Sequence, residues 1–135
     1  MSLHDRQQSL IADLNLIEDV HERLAALSSY IPSTRLPDEL RQDDLIVPGC
    51  VSRVWLHGAV HKGRTCFRCA ADSPLVASLV ALLCHLYSDA VPAEVASVEP
   101  EIWIACGFTK LLSPTRLNGL ASVRVRISTL AACKS

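Results

Sequence analysis

The sequence has no excess of basic residues. Thirteen lysines and arginines stand against fourteen aspartates and glutamates, which gives a net charge of −1 at pH 7 and a pI near 6.5. Proteins that bind nucleic acid or an anionic membrane surface gather Lys and Arg on one face, but here these residues are scattered along the chain. The composition therefore argues against nucleic-acid and membrane partners.

A long apolar run is also missing. No stretch reaches the roughly 18 residues that a membrane-spanning helix needs. The first residues, Met1 to Arg6, lead into polar and acidic sequence rather than into the apolar core of a signal peptide. These observations predict a cytoplasmic protein, in which the six cysteines are expected to be reduced thiols.

The chain of 135 residues is half apolar and one-fifth charged. That length is enough for one continuous hydrophobic core but not comfortably for two. No internal repeat or low-complexity segment interrupts it. We therefore expect a single domain over residues 1–135.

Helical patterns occupy both ends of the sequence. Between Asp5 and Ser29 apolar residues recur every three or four positions, which predicts one or two helices that end before Pro32. A surface loop is expected over residues 33–44. After it, Asp72-Ser73-Pro74 supplies a capping side chain and a first-turn proline for an apolar helix that reaches about Tyr87. Similar signals predict the remaining helices, over residues 92–98, 100–106 and 114–131.

Two β-prone segments lie between these helices. Residues 51–60 and 64–70 are rich in β-branched and aromatic side chains, and His61-Lys62-Gly63 supplies a turn between them. This pattern predicts a hairpin that follows Cys50. The whole chain is thus expected to form an α+β fold, a small antiparallel sheet flanked by N-terminal and C-terminal helices.

Cys50 is the first candidate for chemistry. It follows Pro48, which fixes φ and lacks an N–H, and Gly49, which tolerates a positive φ. The chain is therefore expected to turn tightly here and to present the thiol at the entrance of a strand, where it can reach a thiol of another protein. A cysteine serving only as a small hydrophobe more often lies on an apolar face.

Cys66 and Cys69 form a second candidate site. Two cysteines separated by two residues can hold a metal ion or form a reactive disulfide. In a strand, however, positions three apart face opposite sides of the sheet. No second pair of cysteines or histidines with suitable spacing completes four ligands, so no metal site is predicted. Cys84 lies in the apolar stripe of the central helix and is expected in the core.

Three separated blocks of the sequence resemble one known family. Cys50 lies in Val-Pro-Gly-Cys-Val-Ser-Arg-Val-Trp at residues 47–55, and Asp72-Ser73 opens the apolar helix. The third block, at residues 112–120, reads Leu-Ser-Pro-Thr-Arg-Leu-Asn-Gly-Leu. In this order the blocks resemble the SufE-type sulfur acceptors, the partners of cysteine desulfurases of the SufS and CsdA type.

The resemblance implies both a fold and a function. The fold is an α+β arrangement similar to that of SufE and of the IscU scaffold proteins. The function is that of an accessory protein rather than an enzyme: Cys50 would accept persulfide sulfur from a cysteine desulfurase, stimulate that enzyme and deliver the sulfur to the iron–sulfur cluster assembly complex. Pyridoxal phosphate would belong to the desulfurase, and this chain would need no cofactor.

The resemblance also implies supporting residues. Arg116 matches the arginine of the third block and Asp72 the acidic residue before the long helix, while Gly49 and Ser52 belong to the block around Cys50. Arg116 would stabilise a charged sulfur or contact the loop around Cys50. The alternative roles are a surface ion pair for Arg116 and helix capping for Asp72.

Two other functions remain open at this point. One is a scaffold that binds an iron–sulfur cluster or zinc through Cys50, Cys66 and Cys69. The other is a thiol–disulfide protein that uses Cys66 and Cys69.

Overall fold

The computed structural model describes residues 1–134, within which seven α-helices and two strands alternate with short 3₁₀ turns. The helices are α1 (Leu3–Asn15), α2 (Val20–Ala25), α3 (Ile31–Thr34), α4 (Pro74–Tyr87), α5 (Pro92–Ser97), α6 (Ile102–Ala105) and α7 (Pro114–Lys134). The strands are β1 (Val54–His61) and β2 (Arg64–Ala71). No helix in this part of the chain is long and apolar enough to cross a bilayer.

The two strands form the predicted hairpin. They pair antiparallel from Val54 opposite Ala71 to His61 opposite Arg64. Lys62 and Gly63 connect them with φ angles of 51° and 76°. A two-residue turn with two positive φ angles matches the twist of paired strands, so the register is set by this turn.

Strand β1 begins at Val54, three residues later than the sequence predicted. The Pro48-Gly49 turn and a bend at Val51 and Ser52 double the chain back, and the Val47 N–H then donates to the Val54 carbonyl at 2.9 Å. Residues 51–53 therefore belong to the Cys50 loop and not to the strand.

Helix α4 lies at the centre of the core and packs on β2, while α7 packs on β1 and on α4. Leu79, Leu83 and Leu86 of α4 are fully buried, as are Leu56 of β1 and, nearly so, Phe67 of β2. Burying an aliphatic side chain of this size stabilises a fold by about 1.5–3 kcal/mol. The predicted α+β fold, a small sheet flanked by helices, is confirmed.

The N-terminal region differs from the prediction at Pro32. Instead of ending a helix, Pro32 lies in the first turn of α3, where its missing N–H is not required. The predicted loop over residues 33–44 contains the end of α3 and two short 3₁₀ turns, Asp38–Leu40 and Asp43–Leu45. Helix α1 ends at Asn15 and α2 follows, so the first segment forms two helices, which the pattern allowed.

Polar side chains of α1 attach it to the rest of the molecule. The fully buried Gln7 donates to the Glu99 carbonyl at 3.0 Å and accepts from the Glu101 N–H at 2.7 Å. Arg6 donates to the Leu86 carbonyl at 2.9 Å and also to the carbonyls of Ser88 and Asp89. Arg6 thereby satisfies carbonyl groups at the C-terminal end of α4, which lack helical partners.

Candidate functional site

Gly49 fixes the path of the Cys50 loop. Its φ is 89°, a conformation that side chains other than glycine rarely adopt. A Cβ at this position would also lie 2.7 Å from Ser122 Oγ on α7. The tight turn predicted from Pro48 and Gly49 is therefore present, and it is packed closely against the C-terminal helix.

The Cys50 thiol turns inward from this bend rather than outward. The residue is half-buried and packs against the hydrophobic core, and its Sγ donates to the Gly119 carbonyl of α7 at 3.5 Å. Val51, the next residue, is 87% exposed. The expectation that the bend presents the thiol outward is thus modified: the loop is exposed, but the sulfur rests on α7.

A cleft of about 180 Å³ opens beside this sulfur, between the Cys50 loop, α4 and the start of α7. Ser52, Ser113 and Thr115 are polar residues of its lining. Its walls are apolar and are formed by Val54, Val76, Leu79, Val80, Leu120 and Val123. The thiol therefore borders an open, largely apolar cleft that is large enough for a small sulfur species.

Arg116 is the one charged residue among those that line the cleft. Its backbone N–H lies in the first turn of α7 and donates to Ser113 Oγ at 3.2 Å. Within residues 1–134 its guanidinium has no hydrogen bond or ion pair. The alternative role of Arg116 in a surface ion pair is therefore not seen, and its positive charge remains free beside the cleft.

Burial makes the Cys50 thiol harder to ionise. Desolvation raises the pKa of Cys50 above its ordinary value of 9.0, because a partly buried thiolate loses contact with water. The sulfur is consequently protonated at neutral pH, in agreement with its donation to the Gly119 carbonyl.

Asp72 holds the far end of the Cys50 loop. Its carboxylate accepts from the Arg53 N–H at 3.0 Å, and its own N–H donates to the Arg53 carbonyl at 3.1 Å. The capping side chain predicted for α4 is absent, since the N-cap residue Ser73 makes no side-chain hydrogen bond to the helix. Asp72 instead stabilises the Cys50 loop through its hydrogen bonds with Arg53. The two residues are 19 positions apart, so no local sequence pattern reveals this contact.

The structure thus brings four of the five candidate residues to one place. Cys50, Ser52 and Arg116 line the cleft, and Gly49 sets the turn that places Cys50 there. Asp72 lies outside the lining. The sequence also contained Gly119 within the third block without indicating that its carbonyl accepts the hydrogen bond of the Cys50 thiol.

The other cysteines do not join Cys50. Cys66 is exposed and Cys69 is buried, so the two lie on opposite faces of β2 as predicted. Cys84 is buried in the core as expected. Among residues 1–134, no three His, Cys, Asp or Glu side chains are grouped so that they could hold a metal ion.

Comparison with known proteins identifies the family. A protein-family model described as SufE, an Fe-S metabolism associated domain, matches residues 8–131. This chain belongs to the SufE family. The Cys50 loop, α4 and most of α7 all lie inside the matched region of this SufE-family protein.

Relatives in three organisms carry the same family name or a related one. An uncharacterised SufE-like protein of Synechocystis is 32% identical over 85 residues, 63% of this chain and 54% of that protein. SufE-like protein 1 of Arabidopsis thaliana, described as chloroplastic/mitochondrial, is 31% identical over 91 residues, 67% of this chain and 24% of that protein. The sulfur acceptor protein CsdE of Escherichia coli is 29% identical over 115 residues, 84% of this chain and 77% of CsdE. This chain thus spans about half of the first relative and about a quarter of the second.

A solved structure shares the fold. The solution structure of a hypothetical protein from Thermus thermophilus superposes with a TM-score of 0.76, over 96% of this chain and 95% of that one. The sequence identity is 18%, so this likeness concerns the fold alone.

Proposed function

We propose that Cys50 of this SufE-family protein accepts sulfane sulfur from a cysteine desulfurase and passes it to the iron–sulfur cluster assembly machinery. The observation that carries the proposal is the position of the thiol, which borders an apolar cleft beside the unpaired guanidinium of Arg116. The similarity to CsdE, which is named a sulfur acceptor protein, supports the same function.

The reaction is a thiol exchange at sulfur. The Cys50 thiolate attacks the outer sulfur of the persulfide on the desulfurase cysteine, and a new sulfur–sulfur bond forms. The original sulfur–sulfur bond breaks, and its electron pair leaves with the desulfurase cysteine as a thiolate. Cys50 then carries the persulfide, and an acceptor thiolate removes the outer sulfur in the same manner and releases Cys50 as a thiolate.

Activation of Cys50 requires a change in its surroundings. In the free protein burial raises the pKa of this thiol, so the nucleophilic form is scarce. Docking of the desulfurase on the exposed loop around Val51 would draw the sulfur away from Gly119 and out of the cleft. Its pKa would then fall toward the ordinary value, and Cys50 would become reactive only when a donor is present.

The cleft has a role after transfer. It provides space next to Cys50 Sγ for one more sulfur atom and surrounds that atom with apolar walls. A persulfide is anionic near neutral pH, and Arg116 offers the positive charge that would stabilise it. The product would thus be partly shielded from water until an acceptor arrives.

Stimulation of the desulfurase follows from the same step. Each transfer to Cys50 restores the free thiolate of the enzyme and permits its next turnover. Pyridoxal phosphate is assigned to the desulfurase, which performs the cleavage of cysteine. A scaffold role through Cys50, Cys66 and Cys69 is not favoured, because these residues differ in burial and two of them face opposite sides of β2.

The test uses the full chain, a cysteine desulfurase of the SufS or CsdA type, and free cysteine. Mass spectrometry of the trapped protein is expected to show one added sulfur on the peptide that contains Cys50. Added sulfur on other cysteines only, or none at all, would overturn the proposal.

Two variants control this experiment. Cys50→Ser should abolish the added sulfur and the stimulation of sulfide release, whereas Cys66→Ser should change neither, although Cys66 is the more exposed thiol. Stimulation that persists in Cys50→Ser would separate activation of the desulfurase from sulfur transfer and contradict this mechanism.

A further inference from the structure

The hairpin presents one face to solvent. Buried and exposed side chains alternate along both strands, as expected when one side of a sheet packs on the core. The exposed side chains on the other side are those of His57, His61, Arg64, Cys66 and Arg68. In the register of the strands, His57 lies opposite Arg68 and His61 lies opposite Arg64, with Cys66 between the two pairs. These five residues form one continuous surface, the outer hairpin face.

The charge of the hairpin has a single sign. Residues 54–71 contain Lys62, Arg64 and Arg68 but no aspartate or glutamate, whereas the remainder of the chain holds more acidic than basic residues. Lys62 is exposed in the turn that borders the outer hairpin face. Positive charge is therefore concentrated on this surface, although the net charge of the whole chain is −1.

Little of this charge is neutralised within residues 1–134. Nε of Arg64 lies 3.8 Å from Oδ1 of Asp89, and both side chains are largely exposed, so this ion pair contributes little. Arg68 donates to the Arg35 carbonyl at 3.4 Å but forms no ion pair with a described residue, and neither does Lys62. The guanidinium groups thus remain available to an anionic partner.

We propose that the outer hairpin face docks an acidic, extended segment of a partner protein. Arg64 and Arg68 are four positions apart on β2, which places their Cα atoms about 13 Å apart. Guanidinium groups bind carboxylates through paired, charge-assisted hydrogen bonds. Between the arginines lie the small side chains of Cys66 and, opposite it, Ala59. An extended segment can therefore lie close to the sheet while its carboxylates reach both arginines.

The chemistry of this surface favours an acidic protein segment over nucleic acid or a membrane. Nucleic-acid sites combine a longer basic stripe with aromatic side chains for stacking. On this side of β1 the aromatic ring is that of Trp55, which is half-buried and has Arg41 over it at 6.0 Å. Anionic membrane surfaces are recognised by clusters of about four or more basic residues, and the hairpin has three lysines and arginines.

The outer hairpin face and the Cys50 cleft lie on opposite sides of the sheet. Val54 lines the cleft, and a Cβ at Gly58 would meet Leu130 of α7, so α7 covers the side of β1 from which these residues project. His57 projects from the other side. A partner bound to the outer hairpin face would therefore leave Cys50 accessible. The inference goes beyond sulfur transfer and does not depend on it.

The test uses the ¹⁵N-labelled full chain and a fluorescein-labelled decapeptide of alternating aspartate and glycine. Amide shifts on titration should concentrate in residues 57–68, and the affinity should fall as sodium chloride is raised, because salt screens exposed charges. The same peptide with asparagine in place of aspartate should not bind. No binding, shifts centred outside the hairpin, or equal binding of the asparagine peptide would overturn the proposal. Tighter binding of a thymidine decanucleotide or of phosphatidylserine vesicles at this face would also overturn it.

Charge variants test the assignment of residues. The double variant Arg64→Glu and Arg68→Glu should weaken peptide binding at least about tenfold, since it replaces attraction by repulsion. Lys110→Glu makes the same kind of change at an exposed position outside the hairpin and should bind as the wild type does. If the double variant has a lowered Tm, Arg64→Gln with Arg68→Gln removes the charges without reversing them and should still weaken binding. Unchanged affinity in a folded variant of either kind would contradict the assignment.

A further variant separates this inference from the sulfur-transfer proposal. Cys50→Ser should bind the acidic peptide with wild-type affinity, because Cys50 lies on the other side of the sheet. Weaker binding in this variant would overturn the separation of the two surfaces. Conversely, peptide binding at the outer hairpin face is expected even if Cys50 accepts no sulfur.

Discussion

The sulfur of Cys50 lies 3.5 Å from the carbonyl oxygen of Gly119, within the second turn of α7. The acceptor is a backbone carbonyl of the helix, so the thiol contacts the backbone of α7 directly. The reactivity of Cys50 is therefore tied to the contact between its loop and α7, since any movement of the loop changes both the burial and the hydrogen bond of the sulfur.

This contact predicts slow alkylation of Cys50 in the free protein. Burial raises the pKa of the thiol, so the midpoint of the pH profile of its reaction rate with iodoacetamide should lie above pH 9.0, the ordinary value. Quantitative mass spectrometry of the Cys50 peptide over a pH series measures this profile. The same peptide in urea-unfolded protein should titrate at lower pH, and coincident profiles would contradict the prediction.

The free energy of unfolding should depend on pH through the same ionisation of Cys50. The folded pKa of Cys50 lies above the unfolded one, so the folded state retains its proton to higher pH. The resulting stabilisation is present below the unfolded pKa and is lost as pH rises through the folded pKa. The free energy of unfolding of the wild type, measured with denaturant, should therefore fall more above pH 9.0 than that of Cys50→Ser.

The turn before Cys50 yields another prediction. Gly49→Ala introduces a side chain at φ 89° and places its Cβ 2.7 Å from Ser122 Oγ. The left-handed conformation alone costs about 1–2 kcal/mol, and to relieve the clash either Ser122 must rotate away from its hydrogen bond to the Asn118 carbonyl or the loop must shift. Thermal denaturation should show the loss of stability, and the persulfide on Cys50 should be shorter-lived because the displaced loop no longer places it in the cleft.

Gly63→Ala is the matched control. Its φ is 76°, but a Cβ there meets nothing within 4 Å, so only the backbone strain remains. This variant should lose less stability than Gly49→Ala and should keep the wild-type lifetime of the persulfide. Equal losses in both variants would show that packing of the loop against α7 has no energetic role.

Much of the fold was accessible from local patterns. The Lys62-Gly63 turn, the proline at the start of α4 and the left-handed Gly107, with φ 78°, each depend on backbone preferences of single residues. Such preferences act over a few positions and are visible in the sequence. Pro32 misled the prediction because a proline is compatible both with the residue after a helix and with a first turn.

The candidate site was predictable only as a set of residue types. Gly49, Cys50 and Ser52 form one local block, but the contact of Cys50 with Gly119 joins residues 69 positions apart. The inward orientation of the thiol depends on this contact and on the apolar walls from α4.

Asp72 provides a further prediction, because it exchanges two hydrogen bonds with Arg53 at the end of the Cys50 loop. Asp72→Ala removes the side-chain acceptor and should reduce stability by about 0.5–1.5 kcal/mol. Hydrogen exchange should show faster exchange at the Arg53 amide. Asp72→Asn keeps an acceptor oxygen and should remain near wild type; a defect as large as that of the alanine variant would indicate a role for the charge instead.

Arg116 gives the prediction that separates chemistry from folding. Its guanidinium has no hydrogen bond or ion pair within the described chain, so Arg116→Ala should leave the Tm nearly unchanged. A lost charge-assisted hydrogen bond to the persulfide should slow sulfur transfer from the desulfurase at least about tenfold, and Arg116→Lys should recover part of that rate. Arg126→Ala, on the same helix but outside the cleft lining, is the control and should transfer sulfur normally. A normal transfer rate in Arg116→Ala would assign the positive charge no part in holding the sulfur.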